Sequence, residues 1–123
     1  MQEYVIAFPG SRAEADAHAR DLAGWLDDSE ELRGSARVRM VPPQPGEQGG
    51  AADAVVVMAA AAPLYVPFFN WLVERRKADR VTVRVVRPDG TEQEIEAGDA
   101  DDAVRLLDAV QSALGVTGGE PGE

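Results

Sequence analysis

One hundred and twenty-three residues, a net charge of −10 and no cysteine set the first limits. They indicate about one domain, exclude a disulfide framework or thiolate metal site, and leave no basic surface for general nucleic-acid binding. A chain this long buries roughly 65% of the surface it exposes when unfolded, enough for one modest core.

YVIAF (4 to 8) is a short β-branched and aromatic run and predicts a strand. PGSRAE then opens a helix, with Ser11 as N-cap and Glu14 three residues on as in a capping box. The helix is expected to reach about Asp28, with Ala15, Ala19, Leu22 and Leu26 as its apolar stripe and Trp25 beside them. SARVRMV (35 to 41) alternates Ala36, Val38 and Met40 against Arg37 and Arg39, the period-two pattern of a half-buried strand. PPQPGEQGG (42 to 50) carries three prolines and three glycines and reads as loop.

Residues 54 to 73 are twenty consecutive uncharged positions, followed by Glu74 and then Arg75, Arg76 and Lys77. Twenty apolar residues match a bilayer, and a basic flank could sit on its cytoplasmic side. Pro63, Pro67, Asn70 and five alanines weigh against a span. Met58, Tyr65, Phe68, Phe69 and Trp71 are half of the Met and aromatic residues of the chain, and an Ala-rich first helix needs that bulk in the core. The favoured reading is a buried helical segment broken near Pro63. A strand at 54 to 58 and a membrane-inserting role for 54 to 73 remain as alternatives.

VTVRVVRPDGTEQEIEA (81 to 97) is a hairpin. A three-residue loop Pro88-Asp89-Gly90 sets Arg87 opposite Thr91, hence Val83 opposite Ile95, Val81 opposite Ala97 and Arg84 opposite Glu94. A register slip of one would exchange the faces. Val81, Val83, Val85, Ile95 and Ala97 are therefore expected inside, and Thr82, Arg84, Glu94 and Glu96 in water. Gly98-Asp99 should cap the last helix, with Asp101 and Asp102 in its first turn. Ala103, Leu106, Leu107, Val110 and Leu114 form its stripe and Gly115 its stop. The expected fold is one α/β domain over 1 to 115, β-α-β-α(α)-β-β-α, with helices packed on about four strands. A disordered tail is expected at 116 to 123.

No catalytic constellation appears. His18 is the sole histidine and reads as a helix-surface residue rather than part of a Ser-His-acid site with Ser11. Asp99, Asp101 and Asp102 are explained by the helix dipole rather than by calcium, and no metal or cofactor is expected. The strand–PGSR–helix junction outlines an anion cradle with Arg12 alongside, but it lacks a P-loop lysine. A small-anion or nucleotide sensor is thus an alternative only.

Charge is polarised. Residues 75 to 87 hold six of the twelve basic side chains, whereas 89 to 123 hold ten acids against Arg105. Such a pattern can steer a protein partner. The candidate partner-binding residues are Glu47 in the glycine-rich loop, Trp71 as core or anchor, and Arg75, Arg76 and Lys77. Reversing the last three charges is expected to leave stability nearly unchanged. The missing cysteines suit the cytoplasm, and the apolar run in MQEYVIAF is too short for a signal peptide. The sequence leaves the oligomeric state open.

The order of elements carries a family resemblance. Gly24-Trp25-Leu26 runs into an ELRG turn (31 to 34), then a PGE-x-G turn (45 to 49) and an apolar segment closing in WLVERR (71 to 76). A VTVRV strand, a DGTEQEIEA return and a helix with Leu106-Leu107 follow. The chain resembles the actinobacterial effector-associated constant component family, first type, over roughly residues 4 to 114. The resemblance implies a small non-catalytic protein encoded beside a variable effector, often a caspase-like or trypsin-like peptidase, in bacterial conflict systems. It further implies recruitment, restraint or activation of that effector and assigns no catalytic residues.

Overall fold

Along a strand, alternate side chains point to opposite faces, so the two faces of each strand show where its cover lies. The computed structural model describes residues 2–43, 45–46 and 50–115. In chain order these form β1 (Gln2–Ala7), α1 (Arg12–Asp27), a 3-10 turn (Glu30–Leu32), β2 (Ala36–Val41) and β3 (Ala51–Ala59). Next come α2 (Ala61–Ala78), β4 (Val81–Val86), β5 (Glu92–Ala97) and α3 (Ala103–Leu114). The five strands make one antiparallel sheet in the order β2-β3-β1-β4-β5.

Among the described residues, only one face of that sheet is covered. Ile6, Val55, Val83 and Ile95 point inward and are buried with Leu22 and Leu26 of α1, Phe68 and Trp71 of α2, and Leu106 and Val110 of α3 in a single cluster. All three helices therefore lie on the same side. The alternate residues Val5, Val56 and Val86 stand outside the cluster and are half-buried. Strand pairing sets them in one row, Val56 beside Val5 beside Val86, with Arg37 on the β2 side and Glu92 on the β5 side.

The hairpin has the expected register, with Val83 opposite Ile95, Val81 opposite Ala97 and Arg84 opposite Glu94. Gly90 takes φ +91° in the turn, a region that glycine enters without steric cost. Val81, Val83, Val85, Ile95 and Ala97 are all buried. The N-cap of α1 also forms as expected, Ser11 Oγ accepting from the Glu14 amide at 3.1 Å. In α3 the cap falls later than expected. Asp102 is itself the N-cap, accepting from the Val104 amide at 2.9 Å, while Asp101 accepts from the Gly98 amide at 2.7 Å. The expected tail at 116 to 123 lies outside the described residues.

The uncharged stretch is divided between two elements. Its first part is β3, a fifth strand, and its second is α2, so a helix does not begin at residue 54. Pro63 does not break α2, because it sits in the first turn, where a backbone donor has no intrahelical partner to lose. Pro67 lies in the interior, where it removes one helix bond. Among the described residues, no helix is long and apolar enough to cross a membrane. A second departure is Met40, expected inside but 48% exposed. Asp53 is an extra residue on β3 there, since Arg39 pairs with Ala54 but Met40 with Ala52. The bulge lies on β3 and leaves Met40 on the helix side, opposite buried Ala52, where it meets Arg20 of α1 (Nη2 to Sδ 4.0 Å); its place near the end of an edge strand leaves it exposed. Close to it, a Cβ on Gly50 would stand 2.4 Å from the Val41 carbonyl oxygen, which accounts for a glycine.

The hairpin faces yield a direct test. Val83→Asp places a charge in the core without a partner and should destabilise by several kcal/mol, roughly 3 or more. Thr82→Asp, across from Glu96, should cost about 0.5 kcal/mol. Urea denaturation midpoints that coincide for the two variants would show the faces to be assigned wrongly.

Candidate partner-binding surface

The end of α2 was the sequence's candidate for a partner surface, and its side chains point in three directions. Trp71 points inward and is 1% exposed. Its ring meets Phe8 and His18 edge-on at 5.7 and 6.3 Å, and its Nε1 donates to Asp21 Oδ2 at 2.7 Å. An indole N–H taken out of water needs an acceptor, and Asp21 of α1 provides it. The same carboxylate draws Arg75, whose Nη1 lies 3.5 Å away. Arg75 Nε in turn donates to His18 Nδ1 at 3.1 Å.

His18 is therefore not a surface residue as expected. It is 6% exposed and packs on Phe8, ring centroids 5.5 Å apart. Because Nδ1 accepts a hydrogen bond, the ring proton sits on Nε2. Burial, and then the Arg75 guanidinium, hold its pKa below the ordinary 6.5.

Arg76 turns the other way. Its Nη1 donates to the carbonyl oxygens of Gly98, at 3.3 Å, and Asp101, while its Nε is enclosed without a partner. It ties α2 to the turn between β5 and α3. Lys77 alone of the three basic residues faces water, 3.4 Å from Glu74. Glu47 lies outside the described residues.

Lys77 belongs to a stripe of α2 that the sequence reading missed. Val66, Asn70, Glu74 and Lys77 recur at helical spacing and are all exposed. At its start the stripe meets Trp25 of α1, whose Nε1 donates to the Pro67 carbonyl at 3.1 Å. Trp25 is 38% and Val66 53% exposed, and they line an open groove of about 400 Å³ with Ser29, Pro67 and Asn70. The available signal was Val66 itself, an apolar residue on the face opposite Leu64, Phe68 and Trp71.

The remaining candidates are occupied by local bonds. At the strand–PGSR–helix junction, Ser11 takes the Glu14 amide and Arg12 Nη2 donates to the Pro42 carbonyl at 3.0 Å. Asp101 is held below the usual carboxylate range, chiefly by the Gly98 amide. Among the described residues no group of three His, Cys, Asp or Glu could hold a metal ion.

Residues 11–113 match the model of the family described as Effector Associated Constant Component 1. No curated protein and no solved structure matches the chain.

Two measurements check these placements. With its folded pKa depressed, His18 takes up a proton more readily in the unfolded chain. Stability should be full above about pH 6.5 and fall as pH drops through and below that value. Since His18 is the sole histidine, His18→Gln should flatten the dependence of the urea midpoint between about pH 7.5 and 5.5. Equal slopes in both proteins would contradict the buried, neutral ring. Second, Arg76→Glu should cost about 2 kcal/mol or more, by setting a carboxylate against two carbonyl oxygens. Lys77→Glu should stay within about 0.5 kcal/mol. The expectation that all three basic residues can be reversed without effect on melting is thus corrected: Arg75 and Arg76 hold elements together.

Proposed function

The chain belongs to the Effector Associated Constant Component 1 family, and from that membership we propose that it is a cytoplasmic, non-catalytic adaptor or regulator of an effector encoded nearby. The effector class that fits is a caspase-like or trypsin-like peptidase in a bacterial conflict system. The observation that carries this reading is the family match over residues 11–113, which makes the chain an effector-associated component.

The chemistry of the histidine supports the non-catalytic part. A general base needs a free ring nitrogen within reach of a nucleophile. His18 Nδ1 is already engaged by Arg75, and the ring is packed on Phe8 and Trp71. For effector binding, the best-suited surface is the exposed α2 stripe with Trp25. A partly exposed tryptophan beside an open groove that also holds Val66 and Asp28 is the kind of anchor that interfaces use, and Lys77 adds a charge able to steer association.

Titration against the neighbouring effector tests both parts. Val66→Asp should weaken binding about tenfold or more, and Lys77→Glu should slow association at low salt. The purified chain alone should cleave no peptide or ester substrate. An unchanged dissociation constant in both variants would remove this surface, and absence of any complex with the effector would remove the reading itself.

A further inference from the structure

The outer face of the sheet plays no part in anything described so far. A solvated antiparallel face ordinarily carries polar residues, yet the centre of this one is Val56, Val5 and Val86, with Met58 37% exposed at its margin. From Ala54 to Ala59, β3 is apolar on both faces, the pattern of a strand covered on both sides. Among the described residues no helix supplies the second cover, because all three contribute to the core on the other side.

The margins of this face carry opposite charge. On β2, Arg37 is exposed and has no ion-pair partner among the described residues. Arg39 next to it is held by Asp53, with two contacts of 3.1 Å. On the far side, Glu92 and Glu94 share one guanidinium, Arg84, at 3.8 and 3.5 Å. One carboxylate charge is left over, and Glu96 beside it has no ion pair among the described residues. The face thus runs from positive through apolar to negative.

We propose that this face pairs with the same face of a second copy, about a twofold axis parallel to β1. Rotation about such an axis reverses the order of strands and keeps each residue's position along them. Arg37 then meets the partner's Glu92, Val56 meets the partner's Val86, and Val5 lies on the axis against the partner's Val5. In the neighbouring row, Ala54–Ala7–Arg84 with Arg39 and Glu94 at its ends, Arg39 meets the partner's Glu94. A twofold axis across the strands would instead set β2 on β2 and β5 on β5, like charge on like. Charge therefore selects the first arrangement, and a face that reverses sign about its own centre is what an isologous interface requires.

Size sets the strength. Strands about 20 Å long and spaced about 4.8 Å apart give a face of roughly 450 Å² per copy, or about 900 Å² in all. That is at the lower edge of specific interfaces, so the dimer is reversible. Two twisted sheets pack face to face within about 30° of alignment. Two contacts oppose the pairing: Glu3, in the β1 position next outward from Val5, approaches the partner's Glu3 near the axis, and Arg84 is set against the partner's Ala54.

Sedimentation velocity on the purified chain, from about 5 to about 500 µM to span weak dissociation constants, tests this without any effector. The expected result is a concentration-dependent monomer–dimer equilibrium. Arg37→Glu or Glu92→Arg alone should raise the dimer Kd about tenfold, and the two together should restore it. Glu3→Gln should lower it. All three positions are exposed, and each variant should keep the circular dichroism spectrum of the parent chain. A monomer at every concentration overturns the proposal and leaves the face to a different protein. A dimer whose Kd ignores the single reversals overturns the facing arrangement. Effector binding through α2 is measured separately, so either reading can fail while the other stands.

Discussion

The placement of Trp71 constrains more of this structure than any other side chain. Among the described residues it is the largest fully buried side chain, and it shares the core with the small Ala15 and Ala19 of α1. Burying an indole carries a condition, an acceptor for its N–H. Asp21 meets that condition and brings a carboxylate to the edge of the core, where it needs a cation of its own. Arg75 supplies the cation and reaches on to His18. One packing requirement thus fixes the positions of a carboxylate, a guanidinium and an imidazole.

Much of the fold was legible because its signals are local. The capping box at Ser11 and Glu14, the Pro-Asp-Gly loop and the alternation in VTVRVV each act over a few residues and formed as read. The resemblance to the effector-associated family rested on the order of such pieces and holds over residues 11–113. β3 was misread for a physical reason. A strand apolar on both faces has no period-two pattern, so periodicity cannot separate it from a buried helix. The start of α2 offered no marker either, since Ala60 provides no side-chain cap. His18, Arg75 and Arg76 were misjudged because their surroundings come from β1, α1 and the β5–α3 turn, distant in sequence.

The two surfaces left open by the fold differ in kind. On the helical side, Trp25 and Val66 border a groove between elements, suited to a protruding side chain of a partner. On the sheet side the surface is broad and shallow, suited to another flat surface. They lie on opposite sides of the two-layer sandwich, so occupation of one leaves the other free.

The bulge at Asp53 also bears on the edge of the sheet. Sheets that end in an open strand invite further strands to add, and here the two edges carry opposite charge, which would favour head-to-tail growth into fibres. The bulge raises the local twist and turns the last residues of β2 out of line. Pro42 and Pro43 follow at once and withhold two amide donors. A growing strand would therefore lose its template after a few residues, and the polarity that suits a closed pair is kept from driving an open-ended polymer.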